Sequence, residues 1–170
     1  MMVCPSPTDI PGECRVKPNP FIMGGYQSPD ILMFDALGRV VPLANSPSGT
    51  TLLHPNTEYA IAAVIHNDTA ADAVDTVIRF WAFPCGRVCE GSLIDVQTVT
   101  VPRRSSVRVD SSLPFRSACH GLHACVAVSI FHAESIDAAF DPAFASDVPW
   151  TRSGVHGSTA WRNTDSMSDY

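Results

Sequence analysis

NTEYAIAAVIHNDTAADAVDTVIRFWAFP, residues 56–84, is the stretch whose reading decides the fold. Two runs rich in β-branched and aromatic residues flank a polar break, HNDTAADAVD. The first run puts Tyr59, Ile61, Ala63 and Ile65 on one face. The second puts Ile78, Phe80 and Ala82 on one face and Val77, Trp81 and Phe83 on the other. Successive side chains of a strand point to opposite faces, so apolar residues recurring at period two predict strands. A strand pair whose second member carries a Trp is a common opening of an immunoglobulin-like sandwich, and Trp81 is expected in its core.

Working outward, residues 30–34 and 39–43 read as short strands joined by a turn at Ala36-Leu37-Gly38, and 45–56 as a loop. Residues 93–101 alternate cleanly, 106–109 return after a turn at Pro102-Arg103-Arg104, and 124–131 form the last strong strand. Residues 134–144 could hold one helical turn before Pro142. The expected architecture is all-β, an immunoglobulin-like antiparallel sandwich of about seven strands. It spans 28–132, between an irregular, Pro-broken extension at 1–27 and a polar, small-residue-rich extension at 133–170.

The chain of 170 residues carries 11 Lys+Arg against 17 Asp+Glu, a formal charge of −6. Nucleic acid is a poor partner for it, because phosphate binding needs a basic face and Arg103, Arg104 and Arg108 make only a short cluster. No apolar run is long enough for a membrane span. The start, MMVCPSPTDIPGEC, lacks a basic region followed by an apolar one, so the expectation is synthesis in the cytoplasm without a secretory signal. The compartment in which the chain works stays open, incorporation into a virion or an extracellular assembly included.

The order of signals resembles a bacterial cell-adhesion-related (CARDB-like) immunoglobulin-type domain. The pieces that carry the likeness are Ser28-Pro29-Asp30-Ile31, Asn56-Thr57-Glu58-Tyr59, Val64-Ile65-His66-Asn67, Val77-Ile78-Arg79-Phe80-Trp81-Ala82 and Gly121-Leu122-His123-Ala124-Cys125-Val126. The resemblance covers roughly residues 28–132 and implies a surface-type interaction module without catalysis.

Six cysteines fall in three local couples: Cys4 with Cys14, Cys85 with Cys89, and Cys119 with Cys125. An even count in a turn-rich chain reads as a disulfide framework, local pairing being the simplest arrangement. Free thiols are the alternative. Metal is a further one, through Cys119, His120, His123 and Cys125 with Cys85 and Cys89 as helpers, although the spacing is not the close-pair type zinc prefers. Without metal, Cys125 is a core residue and His123 is hydrogen-bonded at a strand end. No cofactor is indicated.

Nucleophile elbow, HExxH, P-loop and dinucleotide motifs are all absent. Asp30 and Asp35 read as turn and cap residues. The expectation is therefore a non-catalytic module, not an enzyme, acting through protein partners in a homo- or hetero-oligomeric assembly. A virion (phage) structural or decoration protein hardened by disulfides is one alternative. A small metal- or thiol-dependent enzyme using the Cys119–Cys125 cluster is the other. Phe21, Tyr26, Trp150 and Trp161, large apolar groups on otherwise weak segments, are the candidate partner contacts, unless Trp150 and Trp161 dock back onto the sheet.

Overall fold

The two alternating runs become the central strand of one sheet and an inner strand of the other. The computed structural model describes residues 17–25, 27–87, 91–119, 121–134 and 159–167, with side chains left aside at 85–87. Among these residues there are ten strands and no helix. They are β1 (Pro20–Phe21), β2 (Ile31–Phe34), β3 (Thr51–Leu53), β4 (Glu58–Asn67) and β5 (Ala73–Arg87), then β6 (Ser92–Val101), β7 (Ser105–Asp110), β8 (Phe115–Arg116), β9 (His123–Phe131) and β10 (Thr159–Ser166).

β4 organises the first sheet. β2 pairs with its residues 60–63 and β1 with residues 66–67, while β7 pairs with residues 62–67 and β8 with residues 58–59. The second sheet runs β3-β10-β9-β5-β6. Every pairing is antiparallel except β10 with β3. The result is an all-β, immunoglobulin-like sandwich.

The period-two pattern places the core. Tyr59, Ile61, Ala63 and Ile65 of β4 face Ile78 and Phe80 of β5 and Val126, Val128 and Ile130 of β9. Full burial of each large aliphatic or aromatic side chain contributes about 1.5–3 kcal/mol, which offsets the entropy of ordering the strands. Trp81 is a correction to the sequence reading. It is buried, but on the outer face of the second sheet, in a separate cluster with Phe83, Cys125, Ala127 and Trp161. The residues alternating with Phe80 had to lie on that face, and apolar groups there need a cover of their own. Gly91 contributes to it: a β-carbon there would sit 2.4 Å from the Phe83 ring.

Three other readings change. The segment 45–56 contains a strand, β3, and 39–43 does not, since only Val40 makes a bridge, to Phe34. The C-terminal extension supplies β10, which lies between β9 and β3. The N-terminal extension supplies β1 and the fully buried Ile22. The helical turn expected at 134–144 falls, beyond residue 134, outside the described residues.

Arg162 of β10, which the sequence reading passed over, locks the second sheet to the first. Its guanidinium is buried and donates to Thr51 Oγ1 at 3.0 Å, Ile31 O at 2.8 Å, Val41 O at 2.8 Å and Pro42 O at 3.2 Å. Burial lowers its pKa to about 10, so it remains charged at neutral pH. Its neighbours on the same face, Ala160 and Thr164, are also buried.

Candidate functional site

The second sheet has two edges, and the chain treats them differently. β3 is covered. Asn45 Oδ1 accepts from Leu52 N at 2.5 Å and its Nδ2 donates to Leu52 O at 3.4 Å, which occupies the strand's free backbone groups. The adjoining loop is closed by Ser46, Ser48 and Thr50, and Thr50 Oγ1 donates to Asp165 Oδ2 at 2.5 Å.

Among the described residues the ten-residue β6 pairs only with β5. Its register sets Leu93 opposite Trp81 and Val96 opposite Arg79, on the outer face, where they are 50% and 44% exposed. Val74 of β5, at the far end, is 53% exposed. The strand's one charged residue, Asp95, points the other way and is engaged. It accepts from Val96 N at 2.8 Å, Gln97 Nε2 at 2.7 Å, Ser112 N at 2.6 Å and Ser111 Oγ at 3.3 Å. Burial pushes its pKa up, but these hydrogen bonds more than offset that and hold the carboxyl below its usual range.

Two polar arrays lie on the outer faces, one per sheet. On the second sheet, Cys125 Sγ lies 3.0 Å from Asn163 Oδ1 and 3.3 Å from His123 Nε2. His123 Nδ1 lies 2.7 Å from Asp165 Oδ1. The cross-strand pairs Asn163↔Cys125 and Asp165↔His123 create this array directly. Burial acts to raise the Asp165 pKa, yet hydrogen bonds from Thr50, His123 and Ser48 leave it below the usual carboxylate value. Cys125 is only 1% exposed, beneath the cluster containing Trp81 and Trp161.

On the first sheet, His66 Nδ1 lies 2.7 Å from Ser106 Oγ, and His66 Nε2 lies 2.9 Å from Asp30 Oδ2. Asp30 is buried and also accepts from Met23 N at 2.8 Å. The Phe21 ring stacks on the imidazole at 5.2 Å. Ser106 is exposed and lines a cleft with Phe21, His66, Asn67, Asp68 and Arg104.

The residues singled out from sequence are placed as follows. Cys119 and Cys125 are both thiols, so the local bridge expected between them is not formed. Cys125 instead meets Asn163 and His123, and Cys119 donates to Asn56 Oδ1 at 3.5 Å. Cys4, Cys14, Cys89, His120, Tyr26 and Trp150, with the side chain of Cys85, lie outside the described residues. His123 and Cys125 share a face as expected, but among the described residues no group of three or more His, Cys, Asp or Glu is placed to hold a metal ion. Phe21 is half-buried against His66, and Trp161 is buried against Phe83, with ring centroids 4.8 Å apart. Asp35 is a turn residue that accepts from Leu37 N and Arg39 N.

Ser106 and His66 escaped the sequence reading because 40 residues separate them. Only the β4–β7 register sets them opposite one another.

No family model matches this chain, and no curated protein matches it. Among solved structures, it is similar to the crystal structure of a CARDB domain from Pyrococcus furiosus, determined in complex with di-metal ions. The two are 9% identical with a TM-score of 0.49, over 90% of this chain and 96% of that one.

Proposed function

We propose that this sandwich is a protein–protein contact module and that β6 is its docking edge. The observation that carries the reading is the ten-residue strand that among the described residues is paired on one side only, with Leu93 and Val96 exposed beside it. An open edge offers unpaired N–H and C=O groups to an added strand, and alternate side chains then set specificity. Charges such as Lys commonly block that pairing. Asp95 is the only charge on β6, and it is turned inward and hydrogen-bonded.

A second copy of the chain is the occupant that fits. Two β6 strands meeting antiparallel about a two-fold axis would add backbone bonds in both directions and set exposed Val96 side chains near one another. With Asp95 facing inward, no charge on β6 of either copy opposes the approach.

Sedimentation of the full chain over a concentration series tests this. The expected result is a dimer that Val96→Lys returns to monomer with the fold intact. Monomer at every concentration, or a dimer that Val96→Lys leaves unchanged, would contradict it.

A further inference from the structure

We propose that Ser106, His66 and Asp30 form a nucleophilic serine site for acyl transfer from small uncharged esters. The inference concerns the first sheet and is independent of the β6 reading.

The tautomer follows from the partners. A carboxylate only accepts, so the proton shared with Asp30 resides on His66 Nε2, which lies 2.9 Å from Asp30 Oδ2. Nδ1 then carries the lone pair, and it faces the Ser106 hydroxyl at 2.7 Å. That is the relation a general base needs with an alcohol nucleophile: hydrogen-bond reach, with the base oriented by a third group. Asp30 is a positioning residue, and its own backing from Met23 N keeps it in place. The Phe21 ring stacked on the imidazole fixes the ring from one side.

Access separates this array from the one around Cys125. Ser106 is exposed and opens onto a cleft of about 330 Å³, whereas Cys125 is buried. Arg104, which has no acidic partner among the described residues, and Ser105 are among the lining residues. A positive charge beside a developing oxyanion stabilises it. Asp68 lines the same cleft, so the lining carries one charge of each sign and selects neither anionic nor cationic acyl chains.

The reaction balances with water alone. Ser106 Oγ forms a bond to the ester carbonyl carbon as its proton passes to His66 Nδ1. The bond to the leaving alcohol breaks as His66 returns that proton to the departing oxygen. Water, losing a proton to the same nitrogen, then attacks the acyl-serine. A carboxylic acid leaves and Ser106 recovers its proton.

The test is covalent labelling of the full chain with a fluorophosphonate, read by peptide mass spectrometry, alongside release of p-nitrophenol from p-nitrophenyl acetate. One adduct is expected, on Ser106, and Ser106→Ala should abolish both the adduct and the site's ester turnover. His66→Gln should slow labelling by about 100-fold or more. Asp30→Asn should slow it less and displace its pH profile. Should His66→Gln unfold, the wild-type profile decides instead: labelling that rises as the imidazole loses its proton supports the site, and a flat profile overturns it. No adduct on Ser106, or ester turnover in Ser106→Ala equal to wild type, also overturns it.

Discussion

β3 is three residues long, and its outer side is occupied by the Asn45 amide and by a loop whose Thr50 hydroxyl reaches Asp165. β6 bounds the same sheet, is ten residues long and pairs only with β5 among the described residues. The short edge thus has polar cover from its own chain, whereas β6 has such contacts only around Asp95 and Gln97, and exposes Leu93 and Val96 on its outer face. A sheet edge left open is a template for another strand, which native chains suppress unless they use it. The proposed docking edge rests on that contrast more than on any single residue.

The largest expected effect lies on the covered side. Arg162→Met removes four donations to Thr51, Ile31, Val41 and Pro42 and leaves buried carbonyls unsatisfied. A stability loss of roughly 3–5 kcal/mol follows, measured in denaturant melts, with the β3 side loosening first. A loss below about 1 kcal/mol would mean that the covered edge does not depend on it.

Trp81→Ala comes next, at roughly 3–4 kcal/mol, because it opens the cluster containing Phe83 and Trp161. It also strips the support behind Leu93, which pairs with Trp81. A folded variant should therefore lose dimer affinity as well as stability. An unchanged dimer constant would separate the two.

Asn45→Ala converts β3 into an open edge and should cost about 1 kcal/mol. The informative readout is exchange of the Leu52 amide, which should quicken while β6 amides stay as they were.

Acid treats both edges alike. Asp165 and Asp95 have folded pKa values lowered by hydrogen bonds, so each is harder to protonate folded than unfolded. Their stabilisation is fully present above the unfolded value, about 3.9, and is lost as pH falls through the lower folded value. Urea melts from about pH 6 down to about pH 3 should show stability falling at the acid end, and Asp165→Asn or Asp95→Asn should each flatten that fall. A slope unaltered by both substitutions would remove the two carboxylates from the account.

The smallest effect on stability is expected at Val96→Lys, within about 0.5 kcal/mol, since the side chain is exposed on an edge. A large loss would show that β6 is held by more than β5.

Much of this fold was legible in the sequence. β4, β5, β6 and β9 each carry period-two apolar spacing, which is a local signal. β3 was not, because Thr51-Leu52-Leu53 is too short to show a period and becomes a strand only against β10. β10 was hidden for a related reason: TAWRNTDS is polar, yet it is largely buried because Arg162, Thr164 and Ser166 find partners across the fold. The β6 edge could be read as a strand, but its having β5 as sole strand partner among the described residues is a property of topology. The Ser106 array was invisible for the same cause, since it depends on register between distant strands.

The most direct test of the docking edge is amide hydrogen exchange of the full chain, followed by NMR at low and high protein concentration. The account predicts that β6 amides outside the β5 ladder gain protection as concentration rises, that Val96→Lys abolishes the gain, and that β3 amides do not respond. Concentration-independent exchange along β6 would contradict it, as would a gain confined to the β3 side.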